Sequence, residues 1–185
     1  PLLLQKRPFI LWRPLFDMSR SRADTVESLD GVIETCIRVL VNPGEKVAVS
    51  IPTFSFYGLA AQAQGAEVIS VPRRPDFSVD TELFAECARD ARIAFLCSPN
   101  NPTGTMTSPE EVSGIADAIN GVLFLDNAYV EFSDTDYLPL MKKHDNLIIG
   151  RTMSKVFGLA GCRIGYAIVP PWLRTAYEKA ATPFT

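Results

Sequence analysis

The chain reads as an α/β protein with three layers, α/β/α, built around a mostly parallel sheet. Three observations predict this. Short apolar runs recur at 46–51, 93–97, 121–125 and 147–149, and most are apolar throughout rather than alternating. Strands of that kind are buried on both faces. Between them lie segments with helical spacing and clear start signals. Strand and helix therefore alternate, as crossovers between parallel strands require.

The elements follow in order. Residues 1–27 mix apolar and basic residues with three prolines in their first sixteen positions, and they carry no sustained period; they stay unassigned. Val32, Ile33, Cys36, Ile37 and Leu40 then recur at helical spacing, with Asp30 near the start and Asn42-Pro43-Gly44 as the stop. A strand is predicted at 46–51. Residues 52–58 turn into a short helix over 57–64 that Gly65 stops, and a strand follows at 66–71. After a loop at 72–76 comes an amphipathic helix over 80–89 with Asp80 as its cap. The strand at 93–97 runs into Ser98-Pro99-Asn100-Asn101-Pro102-Thr103-Gly104, a dense turn signal. Ser108 as N-cap, Pro109 at the first helical position and Glu111 form a capping box. A strand at 121–125 ends at Asp126, 127–132 is loop, and 137–143 is a short helix. The strand beginning at Leu147 gives way to Gly150-Arg151-Thr152-Met153-Ser154-Lys155, then Gly158-Leu159-Ala160-Gly161. A second buried strand at 164–169 and a helix over 170–181 complete the pattern.

Composition narrows the function. With 185 residues and 47% hydrophobic side chains, the chain is long enough for one domain with a real core. Net charge is −3, and no basic run or aromatic–basic interleaving points to nucleic acid. No apolar run approaches the ~20 residues of a membrane span. Cys36, Cys87, Cys97 and Cys162 form no CxxC pair and read as buried, reduced thiols of a cytoplasmic protein. His144, the one histidine, sits in a polar stretch and reads as a solvated surface residue, which argues against a metal site or a Ser-His triad.

In sheets of this kind ligands bind beyond the carboxyl ends of strands. Phe54, Asn101, Asp126 and Lys155 each follow a predicted strand, so four separate segments converge on one rim. A lysine in a tight, partly desolvated loop can lose its proton and attack a carbonyl. An arginine fork beside Ser and Thr hydroxyls suits a phosphate. Pyridoxal phosphate carries both groups. Taken singly, each residue has a plainer reading: Asp126 as a turn cap, Asn101 as a turn residue, Tyr129 and Phe54 as packing, Lys155 as a surface lysine.

Three stretches taken together, SPNNPTG, DNAYVEF and RTMSKVFGLAGCRIGY, resemble the fold-type-I pyridoxal-phosphate-dependent aminotransferases over about residues 28–185. The Asp-x-Ala-Tyr-x-Glu-Phe phrasing leans toward their histidinol-phosphate branch. The resemblance implies that Lys155 is the Schiff-base lysine and proton shuttle. It implies that Asp126 pairs with the pyridine nitrogen, keeping the ring an electron sink, and that Asn101 and Tyr129 bind the phenolic oxygen. Phe54 would lie over the ring, while Arg163, Ser154, Thr152, Asp30 and Gly31 would belong to the phosphate site, helped by a helix N-terminus.

The same resemblance implies transamination between an amino donor, L-histidinol phosphate in that branch, and 2-oxoglutarate, in a homodimer. It also implies that 28–185 is an incomplete large domain, with a smaller C-terminal domain missing. Glu27-Ser28-Leu29 stands where the family has a glycine-bearing turn. Three readings stay open: that reaction, a different pyridoxal-phosphate reaction (an aromatic or general aminotransferase, or a phospho-amino-acid decarboxylase), or a non-catalytic relative that binds without turnover.

Overall fold

A computed structural model describes residues 28–181. The first helix, α1 (Leu29–Leu40), opens where Ser28 accepts a hydrogen bond from the Gly31 amide at 3.2 Å. A serine cap thus starts the helix at the place of the expected glycine-bearing turn. Val32, Ile33, Cys36 and Ile37 bury its inner stripe. The chain then runs through β1 (Lys46–Ile51), α2 (Phe56–Ala63), β2 (Glu67–Pro72), α3 (Thr81–Ala88), β3 (Ile93–Cys97), α4 (Pro109–Ala118), β4 (Val122–Asp126), β5 (Leu147–Thr152), β6 (Gly165–Ile168) and α5 (Pro171–Ala180). Asp80 caps α3, and the Ser108–Glu111 capping box opens α4 as its spacing predicts.

These strands form one sheet in the order β2-β1-β3-β4-β5-β6. Pairing is parallel from β2 through β5, and β6 alone is antiparallel. That one reversal follows from its connection. Residues 153–164 contain only the 3-10 turn Ala160–Cys162 and no crossover helix, so β6 folds back along β5. Pairing with β6 also carries β5 three residues past its apolar run, through Gly150, Arg151 and Thr152.

Two apolar layers sandwich the sheet. On one face α1, α2 and α5 pack on Val49, Phe95, Phe124 and Ile148. On the other, α3 and α4 pack on Leu96, Leu123, Leu125 and Ile149. β3 and β4 are buried along their full length, as the continuous apolar runs require.

Two readings are corrected. His144 is buried, not solvated: only 6% of it is exposed. The loop before β5 folds onto α4, where its Nε2 lies 2.7 Å from Ser113 Oγ and its Nδ1 3.2 Å from Asp117. These partners let a polar ring sit inside. Of the cysteines, Cys36 and Cys97 are buried, Cys87 is half-buried and Cys162 is exposed, because its 3-10 turn runs over the surface.

Gly121 leads into β4, and a Cβ there would lie 2.0 Å from the Ala91 carbonyl oxygen and 2.7 Å from that of Arg92. Main-chain atoms cannot rotate away, so Gly121→Ala should destabilise the fold by about 1–3 kcal/mol. Gly114, exposed within α4, has nothing within 4 Å of the same position. Gly114→Ala should raise stability by about 0.5–1 kcal/mol. Thermal melts of the two variants should move in opposite directions.

Candidate active site

Asp126 is the last residue of β4, and the register sets Cys97 on one side of it and Gly150 on the other. Only 2% of Asp126 is exposed. One carboxylate oxygen, Oδ1, accepts from the Ala128 amide at 2.8 Å, and Oδ2 accepts from the Tyr57 hydroxyl at 2.5 Å. Among the described residues no cation forms an ion pair with it. Burial pushes its pKa above the ordinary carboxylate value; the Tyr57 and Ala128 hydrogen bonds pull the other way, Asp30 adds to the rise, and Lys155 opposes it. Neighbouring Cys97 is pushed up to about 12, first by burial and then by Asp126, so its thiol stays protonated.

Asp126 looks into a cleft of about 480 Å³, counting its open mouth. Lys155, Tyr129, Asn101, Phe54, Thr152, Ser154, Arg163 and Asp30 line it too. The ends of β1, β3, β4 and β5 and the start of α1 deliver these side chains to one place. Gly31 is not among them; it lies one step along α1, with its amide held by Ser28.

Each contributor is fixed by identifiable contacts. Buried Asn100 donates to Pro52 O at 3.0 Å and Thr103 Oγ at 2.8 Å, and accepts from Thr53 Oγ at 2.8 Å. That locks the turn and leaves Asn101 on the cleft. Phe54 meets Tyr57 edge-on, with centroids 5.5 Å apart. Lys155 Nζ lies 5.2 Å from the Tyr129 ring centroid. Thr152 Oγ donates to Ile164 O at 3.3 Å and accepts from Ser154 N at 3.1 Å, which pins the two ends of the lysine connection. Arg163, in the left-handed region at φ 49°, reaches Asp30 Oδ2 at 2.7 Å and ties that connection to α1.

One expectation changes here. Lys155 is exposed rather than partly desolvated, because residues 155–163 run over the surface and no described element covers them. Tyr57 and Cys97 were not singled out in the sequence. An aromatic residue in the first turn of a helix reads as core, and only the juxtaposition of α2 with the end of β4 shows that its hydroxyl has work to do.

The Ser113–His144–Asp117 cluster has the order of a hydrolytic triad but not its setting. Ser113 lies within α4, whose amides are committed to the helix, so nothing there would hold an oxyanion. Among the described residues no cluster of His, Cys, Asp and Glu could hold a metal ion.

A buried ion pair joins the end of β5 to the 3-10 turn Val130–Phe132 that follows β4. Arg151 Nε and Nη2 donate to Glu131 Oε1 at 3.2 and 2.6 Å, with the two side chains 10% and 9% exposed. Glu131 stands two residues past Tyr129, and Arg151 four before Lys155. Removing one partner strands the other charge, so Glu131→Ala should destabilise the protein by about 3–5 kcal/mol. The apolar pair Glu131→Leu/Arg151→Met should recover most of that loss in urea unfolding.

A family profile described as aminotransferase class I and II matches residues 17–185. The histidinol-phosphate aminotransferase of Methanoculleus marisnigri is 62% identical over 160 residues, which cover 86% of this chain and 46% of that protein. The enzyme of the same name from Methanocorpusculum labreanum is 65% identical over 157 residues, covering 85% of this chain and 44% of its own. The chain thus spans about half the length of these curated relatives. Among solved structures, the histidinol-phosphate aminotransferase of Sinorhizobium meliloti, in complex with pyridoxal-5'-phosphate, superposes with a TM-score of 0.76 at 32% identity, covering 85% of this chain and 45% of that one. The chain belongs to the aminotransferase class I and II family.

Proposed function

We propose that residues 28–185 are the cofactor-binding part of a pyridoxal-phosphate-dependent aminotransferase that moves the amino group of L-histidinol phosphate to 2-oxoglutarate. The observation that carries this is the convergence of Lys155, Asp126, Tyr129, Asn101 and Arg163 on one cleft from the ends of β3, β4 and β5. The names and 62–65% identity of the Methanoculleus and Methanocorpusculum relatives support the choice of substrate.

The residues present fit the cofactor. A buried carboxylate with no cationic partner is complementary to a protonated ring nitrogen. Asp126 supplies it, and a cation beside it would oppose the burial that raises its pKa. Phe54 offers its ring to the cofactor's face. Asn101 and the Tyr129 hydroxyl donate to the phenolic oxygen. Arg163 and Ser154 hold the phosphate, Thr152 braces Ser154 by accepting from its amide, and Asp30 keeps the Arg163 fork in place from α1.

When bound, pyridoxal phosphate supplies an electrophilic aldehyde and a ring that delocalises negative charge from the substrate carbon. Lys155, on the cleft wall, would be the amine that holds that aldehyde. Its Nζ would also be placed to take the proton from the amine-bearing carbon of the substrate, as a positioned general base. Tyr129, under Lys155, orients the amine between these tasks. Asp126 holds its negative charge at the ring nitrogen throughout.

A homodimer fits the same reading. Phe132, Val156, Phe157 and Leu159, next in sequence to Tyr129 and Lys155, are exposed apolar side chains that a second subunit would cover. Among the described residues no helix is long and apolar enough to cross a membrane. The four free cysteines suit a reducing cytoplasm.

Borohydride reduction with pyridoxal phosphate, followed by peptide mass mapping, tests the reading. A stable adduct on the peptide bearing Lys155, absent in Lys155→Ala, is expected. Labelling scattered over surface lysines would overturn it. The full-length protein should form imidazole acetol phosphate from L-histidinol phosphate and 2-oxoglutarate in preference to products from aromatic amino acids.

A further inference from the structure

We propose that Tyr57, stacked inside the core with its hydroxyl on Asp126 Oδ2, is a positioning residue that aims the carboxylate at the cleft and keeps it anionic for a cationic ring nitrogen. This rests on the pyridoxal-phosphate reading of the cleft.

Tyr57 is fully buried in the first turn of α2. Its ring lies nearly parallel to Phe95, with centroids 4.8 Å apart and planes 6° apart, and meets Phe54 edge-on. Its hydroxyl donates to Oδ2 at 2.5 Å, with the Cys97 thiol as its other polar neighbour. The flanking positions in the sheet offer no substitute. Cys97 gives its thiol hydrogen to Pro99 O at 3.3 Å, and Gly150 has no side chain. The Ala128 amide, which donates to Oδ1, belongs to the main chain. Tyr57 is therefore the one side-chain donor to this carboxylate among the described residues. With both oxygens held, the carboxylate cannot rotate, and its remaining lone pairs stay on the cleft.

The electrical role follows from the same contact. Burial raises the Tyr57 pKa well above its ordinary value, and the Asp126 charge adds to this, so the phenol remains a donor. A donor to the charged form opposes the burial that favours a neutral Asp126. The other groups facing the pair are Cys97 from β3, Asp30 from α1, Lys155 from the β5–β6 connection, and Arg73 beyond β2. Among the described residues none of these hydrogen-bonds Asp126 in place of Tyr57.

The sign is definite. Removing the hydroxyl lets Asp126 take a proton at higher pH. A neutral Asp126 attracts a ring cation less, so cofactor affinity should fall off on the acid side sooner than in the wild type. Tyr57→Phe keeps the stacked ring and removes only the donor.

The experiment measures pyridoxal phosphate dissociation constants by absorbance, from neutral to mildly acidic pH, in wild type and Tyr57→Phe. A hydrogen bond to a charged group sets the scale: affinity near neutrality should drop roughly tenfold, and the acid limb should move to higher pH. Equal affinity and an unmoved acid limb in a folded variant would overturn the inference while leaving the cofactor reading intact. A wild-type protein that takes up no pyridoxal phosphate would overturn both. Should Tyr57→Phe not fold, 3-fluorotyrosine placed at position 57, a stronger donor of similar shape, should move the acid limb to lower pH. An unmoved limb there would overturn the inference as well.

Discussion

The constraint on which the site depends is the burial of one negative charge. Asp126 sits at the end of a strand in the middle of the sheet, with apolar layers above and below. An unpaired carboxylate in such a place is costly, and its proton affinity rises until something compensates. The chain supplies part of the compensation through a main-chain amide and a phenol. The remainder has to come from the cleft, where such a carboxylate is complementary to a cation and not to an anionic ring. A site already satisfied by an internal arginine would have no such complementarity.

Everything else serves to present that carboxylate to a ligand. The strand order reverses between β1 and β3, and the crevice at such a reversal is where open α/β sheets hold ligands. Phe54 comes from one side of the reversal, and Asn101 and Asp126 come from the other. The lysine arrives from β5, whose end is tied back to the Tyr129 turn by Arg151 and Glu131. One buried ion pair thus fixes the distance between two side chains that the proposed chemistry needs together. Its energetic worth is small or negative against an apolar pair, so its value lies in registry.

Local signals in the sequence foretold most of the scaffold. The apolar runs became β3 and β4 without change of type, and the Ser108-Pro109-Glu111 signal became a capping box. Much of the lining was also visible, because Phe54, Asn101, Asp126 and Lys155 each end or follow a strand and strand ends share a rim. Three things escaped. The buried state of His144 depends on how the loop before β5 packs on α4, a contact 31 residues distant in sequence. The pairing of Arg163 with Asp30 spans 133 residues, so Arg163 looked free when read along the chain. The hydroxyl of Tyr57 could be assigned only once β4 was known to lie within its reach. In each case the missing information was a tertiary neighbour, which periodicity and propensity do not encode.

The spread of the lining residues along the chain, from Asp30 and Phe54 to Lys155 and Arg163, bears on how the protein is made. No subset of strands closes the cleft: β1 must pair with β3, β3 with β4, and β4 with β5 before its walls exist. During synthesis the emerging polypeptide is therefore blind to any ligand until β5 and the segment after it have left the ribosome and docked. A ligand that binds only the finished sheet then stabilises it by mass action. Occupancy of the cleft is thus a record that the long-range pairings are complete, and it separates finished molecules from those arrested one strand short.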